Sequence, residues 1–170
     1  MDNRWSIWLC PDPSDEASIQ PLVDECCSRF NSPSFPCHIT LFGRVDADPE
    51  LTFSFLSDYI RGIGSISLNI LGVKTGVQPW KNLYLQLDKT EPLVRLQKEI
   101  DQYLNMYRYY AFDPHLSLTY GNLKIDESKL GYISFPETIT FSSVAFMETP
   151  DDINNWKLIF QTRLIGEKAL

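Results

Sequence analysis

The sequence predicts an α+β chain of two similarly built lobes, one in each half. Short apolar or alternating segments are interleaved with stretches of helical period, and one order of elements, strand, helix, then a histidine-bearing strand, occurs twice. Size adds a third observation. With 170 residues, 44% hydrophobic and 13% aromatic, the chain has material for one sizeable core, so residues 1–170 are expected to form a single two-lobed domain.

Residues 4–10 (RWSIWLC), rich in Ile and Trp and ended by the prolines at 11 and 13, read as a strand. Ser18 is placed to cap a following helix with Pro21 in its first turn, and Ile19, Leu22, Val23, Cys26, Cys27 and Phe30 make its apolar stripe. Residues 37–42 (CHITLF) form the next strand, ended by Gly43, and Asp48 caps a helix from 49 to about 60. Strands are expected at 65–73 and 83–87. Thr90 then caps a helix striped by Leu93, Leu96, Ile100 and Leu104, and its acidic start suits the helix dipole. Residues 114–120 (PHLSLTY) are a strand closed by Gly121, and two more lie near 138–148 and 156–165. The segments at 83–87, after Thr90 and at 114–120 thus repeat the plan of 4–10, after Ser18 and 37–42.

Charge narrows the partners. Fifteen Lys and Arg against 22 Asp and Glu give a net charge of -7 and a pI near 4.8, unlike the basic footprint of proteins that hold long nucleic acid. No membrane-length apolar run and no signal-peptide pattern is present, so a cytoplasmic location without a membrane partner is expected. Cys10, Cys26, Cys27 and Cys37 all fall in the first 37 residues, show no C-x-x-C spacing, and are expected to be reduced, small apolar side chains.

His38 and His115 are the only histidines, and each stands two residues before a hydroxyl: His38-Ile39-Thr40 and His115-Leu116-Ser117. The strand period of two turns each imidazole and its hydroxyl to one face and Ile39, Leu41, Leu116 and Leu118 to the other. Brought together across a cleft, such a set fits phosphodiester hydrolysis. One neutral imidazole takes a proton from water, one charged imidazole gives a proton to the leaving oxygen, and Thr40 and Ser117 donate to the non-bridging oxygens. A cyclic phosphate suits this set, because ring strain helps the opening.

Other readings of these residues are weaker. A metal held by the histidines with Asp113 lacks further convergent ligands, and a Cys37–His38 nucleophile pair fails because strand neighbours face opposite ways. The glycines, including Gly62 and Gly64, form no dinucleotide or triphosphate cradle. Each motif histidine as a satisfied strand side chain is the bland alternative, and the matched pair argues against it.

At these motifs the sequence resembles the two-histidine (2H) phosphoesterases, and within them the cyclic phosphodiesterases of the tRNA-splicing by-product pathway. The supporting stretches are 5–11 (WSIWLCP), His38-Ile39-Thr40, 73–76 (VKTG), 80–85 (WKNLYL) and 114–120, which span about the first two-thirds of the chain. The resemblance implies a bilobal fold of mainly antiparallel sheet, with helices on the outer faces, a central cleft and pseudo-two-fold symmetry. It implies metal-free hydrolysis, without cofactor, of ADP-ribose 1″,2″-cyclic phosphate to ADP-ribose 1″-phosphate and of nucleoside 2′,3′-cyclic phosphates to 2′-phosphates. His38 and His115 would be the acid/base pair and Thr40 and Ser117 the phosphate-binding residues. Tyr120 and Trp80 would bind substrate, Tyr120 only if the strand bulges or ends there and Trp80 by stacking on a base. Arg44, Lys74 and Lys81 lie near the motif segments, each read singly as a solvated surface charge. The partner is then a small nucleotide or ADP-ribose cyclic phosphate; a monomer is the default. A 2H enzyme acting on RNA ends and a catalytically idle nucleotide-binding relative are the alternatives.

Overall fold

A computed structural model describes residues 4–131 and 133–166 of the chain. Its elements are β1 (Trp5–Pro11), α1 (Pro13–Phe30), β2 (Ile39–Val45), α2 (Pro49–Gly62), β3 (Ile66–Thr75), β4 (Leu83–Leu87), α3 (Glu91–Leu104), β5 (His115–Thr119), β6 (Thr138–Glu148) and β7 (Lys157–Arg163). The class is α+β, as the sequence predicts, and every strand pairing is antiparallel.

The strands run β1-β2-β5-β4-β3-β6-β7, and a β1–β6 pairing closes the first six into a ring. Phe141 of β6 pairs with both Pro11 and Ile66, so β1 and β3 lie on opposite edges of that strand. One lobe is β2, β1, the second half of β6 and β7; the other is β5, β4, β3 and the first half of β6. The lobes are therefore not one per half of the chain. Strand β3 joins the later lobe and β6–β7 the earlier one, because the 11-residue β6 is long enough to serve both. The helices cross over too: α1 packs against β5 and α3 against β2. The main core holds Ile39, Leu41, Leu116 and Leu118 fully buried, and Trp8, Ala145 and Met147 form a smaller buried cluster. Among the described residues no helix is long and apolar enough to cross a membrane.

Helix starts correct the expected caps. Asp12, not Ser18, caps α1, its carboxylate accepting from the N–H groups of Ser14 (3.0 Å) and Asp15 (2.9 Å), with Pro13 in the first turn. Pro21 consequently sits inside the helix. It is tolerated on the exposed side while Ile19, Val23, Cys26, Cys27 and Phe30 stay buried. Asp48 caps α2 as expected, accepting from Glu50 and Leu51. Thr90 occupies the cap position of α3 but makes no side-chain cap bond. Strand β2 also passes through Gly43 instead of ending there. A Cβ at Gly43 would lie 3.1 Å from the Tyr110 ring, so glycine permits that close approach.

All four cysteines are free thiols, three of them buried. Burial pushes the Cys37 and Cys10 thiols up to about 12 and those of Cys26 and Cys27 to about 11, so they stay protonated and unreactive at neutral pH.

Candidate active site

Strands β2 and β5 meet at a single residue pair, Ile39 opposite Leu116, and that register organises the site. Carried one residue each way, it sets His38 level with Ser117 and Thr40 level with His115. His38, Thr40 and His115 line one cavity of about 200 Å³. Ser117 is buried, 2% exposed, outside that lining, with the Tyr120 hydroxyl beside it.

Both imidazoles are oriented by one backbone device. His38 Nδ1 donates to the Pro36 carbonyl at 2.6 Å, and His115 Nδ1 donates to the Asp113 carbonyl at 2.7 Å, in each case two residues back. A carbonyl only accepts, so Nδ1 carries the proton and Nε2 is left as the working nitrogen on both rings.

Their surroundings differ. The His38 ring is 2% exposed and stacks on Trp8 with centroids 3.6 Å apart and planes 9° apart. Burial pushes its pKa down to about 3, with the Pro36 hydrogen bond opposing and the nearby His115 adding to the fall. His115 is partly open, and burial lowers its pKa too, while the hydrogen bond to the Asp113 carbonyl works the other way. The Asp113 carboxylate pairs with Lys81 and accepts from Gln86 Nε2 at 2.9 Å. Burial opposes the charge on that carboxylate, but the Lys81 and Gln86 hydrogen bonds outweigh it and hold it below its usual range.

The His38 burial has a consequence for the whole fold. An unfolded chain takes up a proton at His38 near pH 6.5, and the folded chain refuses it down to about 3, so stability falls with pH across that window. The slope from this residue is at most ~1.4 kcal/mol per pH unit. Thermal melts from pH 7 to 4 are expected to drop more steeply for the native chain than for His38→Gln, and parallel curves would contradict the burial argument.

Strand β5 ends at Thr119, which releases Tyr120 from strict alternation, and its OH lies 3.4 Å from His38 Nε2. Burial keeps that hydroxyl protonated, so it is the donor. Trp80 lines the same cavity, 5.9 Å from the Tyr120 ring and edge-on to it. Five of the six sequence-predicted residues thus line the cavity, and Ser117 is buried outside its lining. Of the three nearby cations, Arg44 and Lys81 line the cavity instead of standing as solvated charges, because each is tied to a carboxylate, Asp151 and Asp113 respectively. Lys74 stays on the exposed part of β3, outside the lining.

Further lining residues had no sequence signal as site residues. Trp8 and Ser6 come from β1, and Trp8 is registered opposite Thr40. Trp156 closes one side, edge-on to Trp8 at 5.2 Å. Arg108 and Tyr110 come from the irregular segment after α3. Among the described residues, no three His, Cys, Asp or Glu side chains converge in a set able to hold a metal ion.

Residues 3–134 match the family described as "Cyclic phosphodiesterase-like protein". A curated relative, the cyclic phosphodiesterase of Arabidopsis thaliana, is 23% identical over 125 residues, covering 74% of this chain and 69% of that protein. Among solved structures, E. coli LigT with 3′-AMP aligns at a TM-score of 0.64 and 13% identity over 95% of this chain and 98% of LigT. A Thermus thermophilus protein aligns at 0.67 and 13% identity over 97% of this chain and 100% of its own. At such identities these two structures show a shared fold. With the family match over most of its length and two H-x-[ST] strands meeting at one cavity, the chain belongs to the cyclic phosphodiesterase-like family of the 2H phosphoesterases.

Proposed function

We propose that the protein hydrolyses ribose cyclic phosphates, nucleoside 2′,3′-cyclic phosphates to 2′-phosphates and ADP-ribose 1″,2″-cyclic phosphate to ADP-ribose 1″-phosphate, without a metal. The observation that supports this reading is that His38, Thr40 and His115 line one small cavity, with Ser117 level with His38 in the β2–β5 register. The E. coli LigT structures with 3′-AMP and with ATP support a small-nucleotide ligand for this fold.

The environments of the two rings divide the roles. The first proton on the pair goes to His115, the less buried ring, and its charge disfavours a second on His38. His38 Nε2, once the Tyr120 hydroxyl turns away from it, takes a proton from water as the water oxygen bonds to phosphorus. The bond from phosphorus to one ring oxygen breaks, and His115 Nε2 gives that oxygen its proton. Thr40 and Ser117 hydroxyls hold the non-bridging oxygens through the five-coordinate state. Proton exchange with solvent resets the pair.

The test is turnover of the four nucleoside 2′,3′-cyclic phosphates and of ADP-ribose cyclic phosphate, with phosphorus NMR identifying the oxygen that keeps the phosphate. Activity is expected to follow a bell in pH and to survive EDTA. Loss on chelation with recovery on adding a divalent ion would overturn the metal-free reading. Hydrolysis of none of the five substrates would overturn the reaction.

A further inference from the structure

Each imidazole tether is only as firm as the peptide that offers the carbonyl. Residues 32–38 and 108–114, which carry Pro36 and Asp113, belong to no helix or strand, so no continuous ladder of backbone hydrogen bonds fixes them. Each segment also contains a proline, Pro36 or Pro114, which lacks an N–H with which to anchor itself. Side chains must hold both carbonyls in place, and in each motif a glutamine does so.

Gln20, on α1, brackets the first segment. Its Oε1 accepts from the Cys37 N–H at 2.7 Å and its Nε2 donates to the Phe35 carbonyl at 2.9 Å, one residue to either side of Pro36. The second hydrogen of that Nε2 goes to Asp24 Oδ1 at 2.9 Å, and Asp24 accepts from the Ser34 hydroxyl as well, so α1 holds the segment at residues 34, 35 and 37. Gln86 holds the second segment from β4, where it stands opposite His115. Its Nε2 donates to Asp113 Oδ1 and to the Pro114 carbonyl, both at 2.9 Å, and so binds the two residues before the ring. Both hydrogens of each amide nitrogen are thereby used. Neither glutamine lines the catalytic cavity.

We propose that Gln20 and Gln86 are positioning residues for the two imidazoles, Gln20 for His38 and Gln86 for His115, each clamping the peptide segment whose carbonyl takes the Nδ1 proton. Their part in turnover rests on the hydrolase reading above. The bonds explain the residue type. Gln20 needs a donor and an acceptor on one side chain, which an amide supplies, and Gln86 faces a carboxylate and a carbonyl, which a neutral donor suits and a glutamate would repel. Without the clamp the carbonyl is still present but no longer held in one place. The ring then turns, its proton divides between the two nitrogens, and Nε2 is aimed at the phosphate for only part of the time.

The test takes Gln20→Met and Gln86→Met singly, with kcat and KM on adenosine 2′,3′-cyclic phosphate and ¹⁵N NMR of the two imidazoles at pH 8, where burial keeps both neutral. Each variant is expected to lower kcat by ~10–10² with a much smaller change in KM. In Gln86→Met the His115 nitrogens should move toward a mixture of Nδ1–H and Nε2–H forms while His38 stays as in the native chain, and in Gln20→Met the reverse. The unmoved ring reports that the variant is folded, and a leucine replaces any methionine that prevents folding. Gln86→Met should cost nothing further in His115→Ala, whereas Gln20→Met should keep its full effect there, since a residue that acts through an imidazole has no effect once that imidazole is gone. Unmoved imidazole signals, both rings shifting together in either variant, kcat unchanged in an active enzyme, or a Gln86→Met loss undiminished in His115→Ala overturns the proposal. Signals that move as expected in a protein that hydrolyses no cyclic phosphate keep the clamps and discard the hydrolase reading; hydrolysis with unmoved signals does the reverse.

Discussion

His115→Ala is expected to lower kcat on adenosine 2′,3′-cyclic phosphate by ~10²–10⁴ with a smaller change in KM, the size of losing a positioned proton donor. The ring is partly open, so the fold should tolerate its removal. His38→Ala is expected to cost as much, but it also empties the space against Trp8, from which the ring centroid is 3.6 Å away. His38→Gln is therefore its companion, filling the volume without a titratable nitrogen. If His115 is the acid, its removal should cost least on substrates with a good leaving group, whereas His38 variants should be insensitive to the leaving group. Turnover of His115→Ala near that of the native chain on every cyclic phosphate would sink the assignment.

Ser117→Ala should lower activity while leaving the fold intact. The Ser117 hydroxyl is buried beside that of Tyr120, and its removal takes a single oxygen from a closed site. The melting temperature should move by a few degrees at most. In the proposed reaction the same hydroxyl donates to a phosphoryl oxygen, so kcat should fall by ~10–10³. A lower melting temperature together with unaltered kcat would make Ser117 a structural residue. Thr40→Ala should show a similar loss of rate, Thr40 standing half-buried at the cavity wall.

What can be read from the residues is whatever depends on local period and rare chemistry. Two histidines with matched hydroxyls on strands of period two suffice to foresee His38, Thr40, His115 and Ser117 on one face, and Tyr120 joins them because β5 ends at Thr119. Trp8 shares that face too, but seeing it needs the register of Trp8 opposite Thr40, which no local pattern states. Arg108 and Tyr110 come from a segment with no period, and Arg44 is aimed by a bulge that depends on its pairing with β1. The α1 start differs from expectation for another reason. Asp12-Pro13 is as good a cap signal as Asp48-Pro49, but the neighbouring Pro11 gives it the look of a turn. The exchange of β3 and β6–β7 between lobes is a long-range pairing, invisible to any window of sequence.

The backbone tethers on the two imidazoles bear on how this site can change over evolutionary time. In many hydrolases a carboxylate side chain orients the histidine, and one point mutation deletes it. Here the acceptors are the peptide oxygens of Pro36 and Asp113, present whatever amino acid occupies those positions. Drift around the site can remodel its walls and its substrate range while both rings keep their aim.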